Sequence, residues 1–469
     1  MRRPWLVTSL CIVVIGLGGI GLRHESKAQL QRALASFRAS LPPDARFEYD
    51  RAYPRFFAQG AGFDNARFIN GPYKITAKLL TVNNPSGFIG TGLSFSRIHA
   101  ENITVDGPIH GTIGDLHIHK LSLPAMNVEK RDLTALLYVS DIRFERSHLR
   151  ALILDSDTLD CSTSLDEGSL DNFGSAEGDT LQLKNAKVSC RKTRSLRGLL
   201  PDAFFFRDGP VSLGVDSLNE AGYDLTALIR MFEKRKKADE KRSEPEKLRI
   251  ASQKINHLVF RLGTISGEAA HSEETRRTEG TLTSSTYTVS QFALALPPES
   301  DAAVIFPNQI RIPVLNTQSS YDSRTHINTG TTHLSAPDAG IVDTSVTMQS
   351  MNGKSGKPGL RFIDVTFSYR DLGGIPLAQQ RIATKMGRSV VDLKNDITSK
   401  LSLIGMIVPG LAPLPAYLTD PNGRTLTIRW HPEGGITVDA LANYFLHDFS
   451  PAKPAAAWLS PPGLTTTIQ

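Results

Sequence analysis

The octapeptide Ile98-His99-Ala100-Glu101-Asn102-Ile103-Thr104-Val105 carries the reading of the fold. Its apolar residues Ile98, Ala100, Ile103 and Val105 step by two, then three, then two. A step of two places alternate side chains on one face of a strand. The octapeptide is therefore two strand halves joined by a shift of one residue, which fits a bulge or a short turn. The same spacing returns at Leu116, Ile118, Leu121 and Leu123, and again at Leu181, Leu183, Ala186 and Val188. Looser copies occur at 142–149 and 248–258. The copies are too irregular for a strict solenoid. They predict a mainly β fold with α additions: an elongated, twisted antiparallel sheet of repeated short strands. Asp106-Gly107-Pro108 and Asn84-Pro85-Ser86-Gly87 mark turns between strands.

Working outward, the β-repeat domain is expected over 45–267, with a helix near 224–237 and a charged insertion at 233–249. A second β-rich part should cover 268–358. An α+β part should cover 359–449, with strands at 362–369 and 425–430. Between those strands Ile382, Met386, Val390, Leu393, Ile397, Leu401 and Ile404 form an apolar stripe at helical spacing, which predicts one long amphipathic helix. Pro409, Pro413 and Pro415 follow it and argue against a second membrane span. The Pro-, Ala- and Thr-rich stretch 450–469 is expected to be a disordered tail.

Toward the N-terminus, Arg2 and Arg3 precede an uncharged apolar run from Trp5 to Leu22. At 1.5 Å per residue it spans about 27 Å, near the hydrocarbon thickness of a bilayer. Residues 1–24 are expected to be a transmembrane anchor; the other reading is a cleaved signal peptide with Ser26-Lys27-Ala28 at its site. Residues 25–44 follow as an amphipathic helix carrying Leu30, Leu34, Phe37 and Leu41. It is either a stalk or membrane-surface helix, or a helix packed on the next domain. Cys161 and Cys190 are the only cysteines beyond the anchor. A bridge between them would suit an oxidising compartment; the other reading is two reduced thiols.

The net charge is only +6 over 469 residues, and aromatic residues are 7%. No basic stripe with interleaved aromatics stands out, so no nucleic-acid partner is expected. Lys234-Arg235-Lys236-Lys237 is followed at once by acids and fits a solvated stretch. The chain carries no nucleophile elbow, phosphate-binding Gly-rich loop or His-Glu-x-x-His. His117-x-His119, with His110 nearby, is the best metal pair in the sequence, but no cysteine or carboxylate set completes it, and a solvated strand face is the expectation. Asp364 and Asp371 flank a strand end without any sign of paired acid–base work. No catalytic residue, cofactor or metal is expected, and the protein is not expected to be an enzyme.

A single anchor, a helix, and short strands in a strand–Asn or polar–strand rhythm are similar to the AsmA-like proteins of bacterial envelopes. The stretch 59–82, with Gly60-Ala61-Gly62-Phe63-Asp64-Asn65-Ala66, resembles their early repeat, as does the octapeptide at 98–105. The resemblance implies a protein held in the bacterial inner membrane with its bulk in the periplasm. It also implies a role in envelope maintenance and, for the family's larger members, phospholipid movement, which makes phospholipid the ligand class it suggests. It transfers no catalytic residue. An apolar sheet face left uncovered would form a groove for acyl chains, lined by Ile98, Ile103, Val105, Leu116, Ile118, Leu121 and Leu123; the other reading is that these residues form a closed core. The alternative functions are a scaffold for envelope protein partners without lipid binding, contacting them through the charged stretch, and a cell-wall hydrolase.

Overall fold

The computed structural model describes residues 30–31, 34–35, 38, 45–55, 59–88, 92–124, 139–175, 178–192, 209–226, 229, 249–297, 301–306, 309–337, 339–352, 358–421, 423–437 and 463–469. The membrane anchor at 1–24 and nearly all of the charged stretch at 233–249 lie outside these residues. Among the described residues no helix is long and apolar enough to cross a membrane. The protein is mainly β and its strand pairings are antiparallel. It divides into two compact units, one ending at Gly263 and the other running from Thr264 to Gln469, with 244–250 grouped with the second. The segments expected as 268–358 and 359–449 thus fall within one unit.

In the first unit β1 (Ala45–Glu48) and β2 (Arg51–Arg55) both pair with β3 (Gly60–Asn70). From there the order follows the chain: β4 (Tyr73–Asn83), β6 (Gly92–Asp106), β7 (Ile109–Leu123), β8 (Phe144–Ser156), β9 (Cys161–Phe173), β10 (Asp179–Cys190), β11 (Val211–Tyr223) and β12 (Arg249–Leu262), with β5 (Ser86–Phe88) beside β6. Gly107 and Pro108 form the two-residue connection between β6 and β7. Gly107 has φ 143°, and a Cβ there would meet the Tyr73 ring.

The shift of one residue has a definite structural form. Asn102 adopts φ 48° between Ala100 and Ile103, Lys120 φ 48° between Ile118 and Leu121, and Asn185 φ 51° between Leu183 and Ala186. No register slip accompanies them: Leu79 faces Glu101 and Ala77 faces Ile103 on either side of Asn102. The expected bulge is therefore replaced by a left-handed residue inside a strand of constant register. It lets two consecutive residues face outward and returns the next apolar residue to the core face. Asn tolerates this conformation because its short polar side chain can hydrogen-bond locally.

Five left-handed residues form a line across the unit. The flanking partners place Asn65 of β3, Asn102 of β6, Ala151 of β8, Asn185 of β10 and His257 of β12 at one level, on alternate strands. Three of them bond the aspartate directly opposite. Asn65 Nδ2 donates to Asp50 at 2.7 Å, Asn185 Nδ2 donates to Asp166 at 2.7 Å, and the His257 ring lies 3.0 Å from Asp216.

The core of this unit is one sheet face, from Phe47 and Phe63 through Ile75 and Val82 to Ile103 and Leu123. Leu30 and Leu34 are buried in the same cluster. Of the two readings of the 25–44 helix, these residues show packing on the domain that follows.

The second unit continues with β13 (Ile265–Glu279), β14 (Leu282–Ala295), α1 (Asp301–Ile305), β15 (Ile310–Asp322), β16 (Ile327–Ala336), β17 (Gly340–Asn352) and β18 (Pro358–Asp371), each strand pairing with the next. The expected single long helix is two: α2 (Gly374–Met386) and α3 (Val390–Ile407). Gly387 takes φ 63° and closes α2. Ser389 then accepts from the Asp392 amide at 3.0 Å and opens α3. The apolar stripe therefore does not run on: Met386, at the break, is exposed. After α4 (Leu414–Thr419), β19 (Thr425–Trp430) pairs with β18, and β20 (Ile436–Thr437) lies beside the start of β18. Leu464–Ile468, expected in a disordered tail, is β21 and pairs with β19 along its whole length. Composition missed it because the alternation in Leu-Thr-Thr-Thr-Ile is short and needs a waiting edge strand to hold it.

Candidate functional site

The seven residues expected to face lipid stand on one sheet face, as the spacing predicted, but at its closed end. Ile98, Ile103, Val105, Leu116, Leu121 and Leu123 are buried and Ile118 is partly buried. The space left among Phe47, Phe68, Ile75, Ile98, Ile103 and Ile118 is about 30 Å³. That is room for a water or two, not for an acyl chain.

The same face continues across β8–β12, and there it is open. Direct cross-strand partners share a face, so each row can be followed through the register. Val105 leads through Gly111, Leu154 and Thr163 to Val188, Leu213 and Phe260. Ala100 leads through Leu116, Leu149 and Gly168 to Leu183, Leu218 and Ile255. Between these rows Ala186, Val215 and Leu258 are also in register. Val188 and Leu213 are 37% and 50% exposed, and Leu149, Leu183, Leu218 and Ile255 are half-buried. The apolar face thus passes in register from a packed core into a surface of aliphatic side chains. Sequence reasoning placed Leu181–Val188 in the repeat but did not single it out. The signal was present in that third copy, which has the same spacing as the other two.

The opposite face of the same strands is mainly polar, with Ile153 and Val259 exposed on it. Its most ordered feature is a histidine pair. The rings of His99 and His117, cross-strand partners on β6 and β7, stack at 4.0 Å with 8° between their planes. Both Nε2 atoms meet the Asp115 carboxylate at 2.9 Å, one on each oxygen. Glu101 Oε1 is 3.3 Å from His99 Nε2. Burial, and then the nearby His99, lower the pKa of His117. The sequence pair His117-x-His119 is not what the fold assembles: His119 stays outside this group, and His110 lies 3.8 Å from Asp157. Asp115, two residues before His117 on β7, was readable from the spacing but not singled out, whereas His99 reaches them only through the β6–β7 register. Further along, His148, the cross-strand partner of His117, bonds Glu167 at 3.0 Å, and Glu167 also accepts from Lys184 Nζ at 2.6 Å. Lys184 first and His148 second hold the Glu167 carboxyl down at about 2.

Asp364 and Asp371 are structural. Both lie on β18, seven residues apart, which is roughly 23 Å along an extended strand. Asp364 accepts from Arg429 at 2.7 Å, which keeps it below the usual carboxylate range, and lies 2.9 Å from His431. Asp371 accepts from the amides of Gly373 and Ile375 at the start of α2, and Tyr417, fully buried, donates to the Tyr369 carbonyl beside it. Cys161 and Cys190 are cross-strand partners at the open end of the β9–β10 hairpin and form a disulfide with a Cα–Cα distance of 4.0 Å.

Comparison of the chain with protein-family models, with curated proteins and with solved structures returned no match.

Proposed function

We propose that this chain is a membrane-anchored, non-enzymatic protein of the bacterial envelope, with its bulk in the periplasm, that binds phospholipid acyl chains on the apolar face of β8–β12. We place it among the AsmA-like proteins on its strand rhythm. The observation that carries the reading is the in-register passage of the Val105 and Ala100 rows from buried core to exposed aliphatic surface. A contiguous apolar face of this kind marks a binding surface more often than an idle one. Each methylene removed from water contributes about 0.8 kcal/mol, so some eight methylenes laid along it contribute about 6 kcal/mol. The register keeps the rows parallel, which suits an extended chain lying across the strands. The Cys161–Cys190 disulfide agrees with an oxidising compartment.

The test uses the full chain, solubilised mildly from membranes, extracted and analysed by mass spectrometry. Phospholipid retained by the wild type and lost from Leu213→Asp supports the reading, because lipid around an anchor would be the same in both. Equal lipid in both proteins overturns it. Lipid-free protein that captures an envelope partner would point to a scaffold, and turnover of wall fragments to a hydrolase.

A further inference from the structure

The geometry points to a Zn(II)-class metal site on the polar sheet face, built from His99, Asp115 and His117 with Glu101 as fourth ligand. Among the described residues it is the one group of three or more such side chains whose donor atoms all lie within 4.8 Å of one another. Its make-up is two imidazoles and carboxylates, a donor set that Zn(II) accepts in tetrahedral sites. The positions are set by the fold and not by flexible loops. His99 and His117 face each other across β6 and β7, and Asp115 and Glu101 are themselves cross-strand partners one step along. Three donors therefore cluster on one small rectangle of a paired ladder, and Glu101, whose Oε1 lies beside His99 alone, is the ligand that must swing in.

The direction of the donors matters more than their proximity. Both imidazoles present Nε2 to the same carboxylate, one to each oxygen at 2.9 Å, so the two nitrogens leave the stacked rings at the same end. Ligand atoms about 3.4 Å apart are what a tetrahedral ion with bonds near 2.1 Å requires, and Glu101 Oε1 stands 3.3 Å from His99 Nε2. The stacked rings aim their Nε2 lone pairs side by side, so binding one ion requires the rings to unstack and turn toward a common point, a rotation that the broad χ2 of histidine allows. On binding, each neutral ring carries its proton on Nδ1 and leaves Nε2 for the ion.

The same residues also satisfy one another as a hydrogen-bonded ladder, and the experiment separates the two roles. The full chain is stripped with chelator, and Zn(II) uptake is measured by titration calorimetry and elemental analysis. One equivalent is expected, with the intense visible absorption of tetrahedral Co(II) on substitution. His99→Gln and Asp115→Asn should each weaken Zn(II) binding at least about tenfold. His119→Gln, on the same strand but outside the group, should bind as the wild type does. Denaturation midpoints of all three variants establish that they fold. No uptake by the wild type, or equal uptake by His119→Gln and Asp115→Asn, overturns the site.

Discussion

Val105 and Leu213 stand on one row of one sheet face, linked by an unbroken chain of cross-strand partners, yet Val105 is 1% exposed and Leu213 is 50% exposed. The two ends of that row should respond oppositely to mutation. Ile103→Ala, beside Val105 in the packed part, removes methyl groups that the core cannot replace and should cost about 2–5 kcal/mol by chemical denaturation. Leu213→Asp should change stability by less than about 0.5 kcal/mol while abolishing retained phospholipid. A large loss of stability in Leu213→Asp would mean that its row is part of the core after all.

Asn102 holds a left-handed conformation in mid-strand. Asn102→Gly should be tolerated to within a few tenths of a kcal/mol. Asn102→Val places a β-branched side chain where φ is positive and should cost about 1–2 kcal/mol or more. Urea midpoints compared at equal slope provide the measurement. Equal stability of the Gly and Val variants would count against the left-handed assignment.

Cys161 and Cys190 are 29 residues apart in sequence. Closing a loop of that size removes unfolded-state entropy, and the double substitution Cys161→Ser, Cys190→Ser should lower stability by about 3–4 kcal/mol. Reduction of the wild type should produce a comparable loss, and reduction of the double variant none.

Glu167 supplies a pH dependence whose sign follows from its partners. Lys184 and His148 depress its carboxyl from 4.5 to about 2 in the folded chain. The unfolded chain therefore binds the proton more readily, and stability rises with pH in this window. The contribution is fully present above pH 4.5 and is lost as pH falls through about 2. In Glu167→Gln that component of the acid dependence should vanish, as read from unfolding midpoints across the range. An unchanged profile would show that the Glu167 pairs are not formed in solution.

Much of the architecture is legible in the chain itself, because strand alternation, turn chemistry and left-handed tolerance are local properties. The two–three–two spacing from Ile98 to Val105 places both halves of β6 on one face, and Asn102 sits where the backbone must be left-handed. Asp106-Gly107-Pro108 marks the turn that follows. Gly387 and Ser389 carried the break between α2 and α3, but the apolar stripe across them was the louder signal. The tertiary structure alone decided which copies of the repeat are covered. Leu181–Val188 has the same spacing as the octapeptide, but burial depends on what packs over a strand, as Leu30 and Leu34 do in the first unit's core. It alone brought His99 to Asp115, since residues 16 apart in sequence meet only when the β6–β7 turn sets the register. It also made a strand of Leu464–Ile468, whose few residues gain their hydrogen bonds from the edge of β19.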